Sequence, residues 1–178
     1  MKKILIASLI AAGGFASQAH AQAYGELGFT PNTFKSTFGT TAVSETLYSV
    51  RGILGYEVAP NLAFELMGSV GTTGATVRVG GTDVKVESDY GVGIYAKPKV
   101  KLSDTVEFFG RFGYGRSEGS VTPAGGAATK ETRDDYSFGA GISVAVSPMM
   151  SVNADYMRYM NKDGIRVGGF TLGLGFKF

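Results

Sequence analysis

From residue 23 onward the chain alternates apolar with polar or small residues at a period of two, and no helical spacing of apolar residues competes with it. Eight segments carry this pattern, each about ten residues long, the length of a membrane-crossing strand. They are 23–30, 47–58, 62–70, 89–100, 106–114, 135–146, 150–157 and 170–178. One face of each is apolar and aromatic: Leu27 and Phe29; Tyr48, Val50, Leu54, Tyr56 and Val58; Phe64 and Leu66; Tyr90, Val92 and Ile94; Phe108 and Phe112; Tyr136, Phe138 and Ile142; Val152 and Tyr156; Phe170, Leu172, Leu174 and Phe176. The opposite face mixes small residues with nine charges: Glu26, Arg51, Glu57, Glu65, Lys97, Lys99, Glu107, Arg111 and Asp155. Pro98 cannot donate to a strand ladder, so the fourth segment is expected to end or bulge there.

The segments are joined alternately by short and long connections. Short turns fall at Ala59-Pro60-Asn61, at 102–105 and at Ser147-Pro148-Met149; longer polar stretches fall at 31–45, 72–88, 115–134 and 160–166. Short–long alternation predicts up-and-down hairpins, with both termini on the short-turn side. Within 72–88, Val77-Arg78-Val79 and Val84-Lys85-Val86 alternate around Gly80-Gly81-Thr82-Asp83. That pattern predicts a hairpin continuing segments three and four beyond the barrel, with an edge open to a partner strand.

The N-terminus breaks the pattern. Met1-Lys2-Lys3 is basic, Ile4–Ala16 is apolar or small, and Ala19-His20-Ala21 has a small-x-small form. This is the design of a secretory signal peptide, expected to be cleaved near Ala21. The run is too short for the ~20 residues of a spanning helix. The expected organisation is therefore a leader over 1–21 and a barrel over 22–178. Removing the leader leaves 157 residues with 15 basic and 15 acidic side chains, and no His, Cys or Trp. Balanced charge argues against a nucleic-acid partner. Without His or Cys there is no imidazole base and no Ser-His or Cys-His nucleophile. No metal site, cofactor or catalytic residue is expected.

Which face meets which solvent decides the class. A soluble barrel would bury the apolar face. Here the apolar face is ringed by aromatics, while the charged face is crowded with glycine, which suits lipid outside and a narrow polar lumen inside. Ten residues at roughly 3.3 Å, tilted about 40°, rise on the order of 25 Å, the apolar height of an outer membrane. The alternative is a secreted soluble β-sandwich, also built of alternating strands.

The leader Met1–Ala21, the strand-turn-strand Gly55-Tyr56-Glu57-Val58-Ala59-Pro60-Asn61-Leu62-Ala63-Phe64-Glu65-Leu66 and the ending Leu172-Gly173-Leu174-Gly175-Phe176-Lys177-Phe178 carry a resemblance. The mature chain resembles the OmpA-like eight-stranded outer-membrane β-barrel family, including its small OmpX/Ail and opacity-type surface members without a periplasmic domain. The resemblance implies an all-β, antiparallel, up-and-down transmembrane barrel with four longer extracellular loops and short periplasmic turns. It implies the outer membrane of a Gram-negative cell, contact with membrane lipid and lipopolysaccharide, and recognition of Phe178 by the barrel-assembly machinery. A monomer is expected.

The function so implied is a structural or surface-interaction role, with a host or matrix ligand taken by the loops. The alternative is a narrow or transiently open porin-like channel. Eight strands leave an interior that side chains can fill. An ion-pair cluster of Arg51, Glu65, Lys97 and Arg111, with Glu26 and Asp155 near it, is expected to close it. An enzyme would need a carboxylate pair such as Glu57 with Glu65 or Glu107 with Asp155, and ion-pairing of these groups is the simpler reading. Gly91-Val92-Gly93 and Gly139-Ala140-Gly141 look like pieces of a nucleotide loop, but no helix follows, which favours inward glycines. Glu131, Asp134 and Asp135 could bind calcium or could be a solvated charge cluster. Parity places Arg158 outward beyond Tyr156, with Tyr159 also at the interface level. Two readings stand for Arg158: contact with a lipid A phosphate, or a loop residue after a strand that frays at Met157.

Overall fold

The computed structural model describes residues 23–38, 41–79, 81–162 and 164–178. The leader and its cleavage site lie outside the described residues. Among the described residues there are nine antiparallel strands: β1 Ala23–Phe38, β2 Thr41–Ala59, β3 Leu62–Gly71, β4 Gly74–Val79, β5 Thr82–Lys101, β6 Val106–Pro123, β7 Thr129–Ala145, β8 Met150–Lys162 and β9 Ile165–Lys177. The order β3-β2-β1-β9-β8-β7-β6-β5 closes on itself because β3 also pairs with β5. The ring therefore has eight positions. The third is shared by β3 and its continuation β4, which are separated by Thr72-Thr73 and pair successively with the two halves of β5. Closure leaves no unpaired edge in the barrel wall, which hydrocarbon would penalise at several kcal/mol per group.

The burial pattern is that of a soluble protein turned inside out. Arg51 and Arg111 are 1% and 0% exposed, while Ile94 and Phe170 are 67% and 70% exposed. The inner face is close-packed because glycines sit opposite rings. A Cβ at Gly93 would meet the Tyr95 ring at 2.7 Å, and one at Gly141 would meet Phe109 at 2.6 Å. Gly91 and Gly139 likewise face inner side chains, Ser69 and Met157.

Three expectations are corrected. Pro98 neither ends nor bulges β5: its neighbours keep register with β6 from Ala96↔Phe112 to Lys99↔Phe109, and Lys99 N donates instead to Asn61 O at 2.9 Å. The stretches read as longer loops are mostly strand, since their Thr and Val residues go on pairing beyond the barrel. β5 alone has 20 residues, about twice the length that a ~25 Å apolar band requires. The hairpin turn is tighter than 80–83, because Val79↔Thr82 and Arg78↔Asp83 already pair. Gly81 has φ 87° and Gly164 φ 75°, left-handed values that the hairpin tips need and glycine supplies without strain.

Candidate functional site: lumen cluster and exterior cleft

Five charged groups from five strands meet in the lumen, with Lys97 of β5 beside them. Glu26 stands on β1, Arg51 on β2, Glu65 on β3, Arg111 on β6 and Asp155 on β8, all on inward positions of the pleat. Arg51 Nη2 donates to Glu26 Oε1 at 2.7 Å, and its Nη1 donates to Asp155 Oδ2 at 2.9 Å and to the Tyr159 hydroxyl at 3.2 Å. Arg111 reaches Glu65 Oε2 (2.7 Å), Glu26 Oε2 (2.7 Å) and Asp155 Oδ1 (2.9 Å). Glu26 and Asp155 each bridge the two guanidiniums rather than standing at the margin. Lys97 Nζ lies 3.4 Å from Glu65 Oε1, between the rings of Tyr24 and Phe109, with centroids 4.8 and 4.4 Å away. Tyr24 donates its hydroxyl to Glu65 Oε1 at 2.6 Å. Three cations therefore face three anions, as a low-dielectric interior requires of charges that stay ionised.

The cluster shares the lumen with a buried apolar group of Ile53, Met67, Tyr95 and Met157. Below it, Lys99 pairs with Glu57 (2.7 Å) and Glu107 (3.4 Å), and Lys177 with Glu57 (3.5 Å). Each carboxylate offered as half of a catalytic pair thus lies against a cation. The calcium candidates do not converge either. Asp134 binds Arg116 at 2.7 and 2.9 Å, Glu131 binds Arg133, and Asp135 caps the backbone of Tyr136 and Asn161.

The exterior part divides into two flaps. The β7–β8 ladder stops at Phe138↔Arg158, and the β2–β3 ladder stops at Ser49↔Gly71. Beyond these points one flap consists of the ends of β8, β9, β1 and β2, the other of β4 with the ends of β5, β6 and β7. A few bonds tie the seams: Asn161 N donates to Asp135 Oδ2 at 2.7 Å on one side, and on the other Thr72 N and Oγ1 donate to Tyr48 O at 2.8 and 3.1 Å while Tyr48 N donates to Thr73 Oγ1 at 3.0 Å. Between the flaps lies a cavity of about 190 Å³ floored by Met67, Tyr95, Tyr159 and Met160 and walled by Phe34 and Val86. Residue spacing alone does not reveal it, because it depends on where ladders stop. A β-bulge between Arg158 and Met160 also turns Tyr159 inward to Arg51, correcting its expected place at the interface. The sequence signal for that bulge is the three-residue step between the inward residues Met157 and Met160. Arg158 lies on the outer face, its guanidinium 4.1 Å from the centre of the Phe138 ring.

A closed antiparallel ring with charges inside and aromatic and aliphatic residues outside defines a transmembrane β-barrel. Residues 4–178 match the outer membrane protein beta-barrel domain family, and the chain belongs to that family. Membership places it in the outer membrane of a Gram-negative cell. No curated protein matches it by sequence. Among solved structures it is similar to surface protein A of Neisseria, with 20% identity, a TM-score of 0.68, and 90% of this chain and 100% of that one covered. It is also similar to Ail of Yersinia pestis, with 18% identity, TM-score 0.62 and coverage of 88% and 97%. OprG of Pseudomonas aeruginosa gives 12% identity, TM-score 0.58 and coverage of 89% and 96%. Ail has also been solved in complex with the heparin analogue sucrose octasulfate.

Proposed function

We propose that this is a monomeric surface-interaction barrel: the lumen cluster plugs it, and the exterior flaps take a ligand from outside the cell. The observation that carries the reading is the pairing of a filled interior with a cleft above it. The cavities at the two ends, about 190 and about 260 Å³, lie on opposite sides of the charge cluster. The reading includes no catalysis, since each lumen carboxylate is held by a cation and the mature chain has no histidine or cysteine. It includes a leader removed near Ala21 and assembly through Phe178, whose backbone N–H binds Ala23 O at 3.0 Å and so joins the two ends of the barrel.

Two places on the flaps can receive a partner. One is the cleft, apolar at its floor and charged at its rim, with Glu131, Arg133 and Asp135. The other is the outer edge of β4, whose ladder is with β5 on one side only. An extended peptide could add there by main-chain bonds. The test is capture of host-cell and matrix components, with a sulfated oligosaccharide in the panel because Ail takes a heparin analogue. Wild type is compared with a chain in which 74–87 is replaced by a tight turn. Binding that disappears with the hairpin supports the reading; equal capture by both proteins contradicts it.

A further inference from the structure

The end of the barrel that carries the short turns and the chain termini holds a second cavity, of about 260 Å³. Its wall is one continuous rung of the sheet. Lys101 of β5 pairs with Glu107 of β6, Glu107 with Ser143 of β7, and Ser143 with Asn153 of β8. All four residues line the cavity. The next rung inward is Lys99, Phe109, Gly141 and Asp155. Phe109 is fully buried, and a Cβ at Gly141 would lie 2.6 Å from its ring. That rung separates the cavity from the charge cluster and closes its inner end.

Two groups at opposite ends of the wall lack partners. Asn153 is 4% exposed; its Nδ2 donates to Glu26 Oε2 at 3.0 Å, and its Oδ1 has no donor. Buried acceptors are nearly always satisfied. The register partners of Asn153 leave this one bare: Gly173 has no side chain, and the Ser143 hydroxyl makes no bond to it. The terminal torsion of an asparagine is soft, so a small turn of the amide brings Oδ1 to a donor in the cavity. At the other end, Lys101 has no ion pair among the described residues. Its register partner Glu107 lies instead 3.4 Å from Lys99, which also binds Glu57 at 2.7 Å.

These two groups specify the ligand. It donates a hydrogen bond at Asn153 and carries negative charge at Lys101. The donor is a neutral N–H, because Lys97 lines the same cavity and would repel a second ammonium beside it. The anion is singly charged, because Glu57, Asp104 and Glu107 also line the cavity and would repel a phosphate dianion. The volume is below the ~300–1,000 Å³ of pockets for drug-sized molecules, so the ligand is small. Three strand spacings of about 4.8 Å separate the ends of the wall, and the Lys101 side chain reaches back across part of that distance. What remains suits about two residues at roughly 3.5 Å each.

We propose that this periplasmic vestibule binds the carboxyl end of a short peptide, with the carboxylate at Lys101, an amide N–H on Asn153 Oδ1 and the Ser143 hydroxyl between them. The site is separate from the exterior cleft, so failure of either reading leaves the other standing.

The test is residue-resolved NMR of the refolded protein in micelles, titrated with N-acetyl-alanyl-alanine. Its C-terminal amide lacks the carboxylate, hexanoate lacks the N–H, and inorganic phosphate is the competing anion. Amide signals near 101, 107, 143 and 153 are expected to move saturably with the peptide, while those of 74–87 stay in place. Affinity is expected to fall at least about tenfold for the amide, for hexanoate and for phosphate, and for the peptide with Lys101→Ala or Asn153→Leu. Lys130→Ala, on the exterior, should bind as the wild type does. Asn153→Leu also removes the bond to Glu26; if gel mobility shows it unfolded, Lys101→Ala and the ligand series decide. Absence of saturable shifts at these positions, equal binding of the amide, hexanoate or phosphate, or undiminished binding by Lys101→Ala would each overturn the proposal.

Discussion

Arg111 with Glu26 inside the barrel and Arg116 with Asp134 outside it make the same bond at the same length, 2.7 Å. Five residues of one strand separate the two arginines. The inner pair is at most 1% exposed, whereas Arg116 is 59% exposed. Coulomb's law gives on the order of four times more energy at an effective dielectric constant of 20 than in water. Desolvation makes the loss of one buried partner costly in a way that water forgives outside. Geometry alone does not tell what an ion pair does; the medium around it does. Inside, the pairs join five strands across one lumen. Outside, they adjust a solvated sheet.

That difference can be broken at its strong end first. Arg51→Ala leaves Asp155 and Glu26 short of one guanidinium in a site without solvent, and should lower unfolding stability in lipid by about 3–5 kcal/mol. Chemical denaturation of the refolded protein followed by tryptophan-free near-UV signal or gel mobility measures this, and an unchanged midpoint would remove the cluster from the account. A smaller loss, about 1–3 kcal/mol, is expected for Gly141→Val, because the new Cβ would lie 2.6 Å from the Phe109 ring and 2.5 Å from Asp155 Cβ. The same assay should show Gly52→Val close to neutral, since nothing lies within 4 Å of a Cβ there.

The weak end is sharpened by pH. The Arg116 guanidinium, bound to Asp134, holds that carboxyl below its ordinary 3.8. A group with a lowered pKa contributes its stability above the unfolded value and loses it as pH falls through the folded one. Acidification below about 3.8 should therefore loosen the exterior ladder of β6 and β7, read as faster exchange near 115–118 and 132–135. The global unfolding midpoint should not follow it. Arg116→Ala at neutral pH should likewise leave the midpoint within error.

Much of this architecture is legible as parity. Eight alternating segments determine which residue of each strand faces inward, so all nine inward charges can be read before any contact is known. Tyr24, Tyr95 and Phe109 can be placed on the same face, though their packing against glycines cannot. Parity fails where a residue is inserted. The bulges between Ser88 and Tyr90 and between Arg158 and Met160 each shift the faces by one; the second sends Tyr159 to the lumen. Thr- and Val-rich polar stretches also read as loops because solvent wets both faces there, while their backbones continue to pair. The cleft is the least legible feature. It arises where β7 stops pairing with β8 and β2 with β3, and hydrophobic patterning carries no record of where a ladder ends.

The central claim is that the lumen cluster closes the barrel. It is tested most directly by conductance in planar bilayers of the wild type and of Arg51→Ala/Asp155→Ala, which removes charge from the cluster in a balanced pair. The wild type should show no steady ion current, and the double variant a measurable one. A large, steady current through the wild type, unchanged in the double variant, would contradict the account.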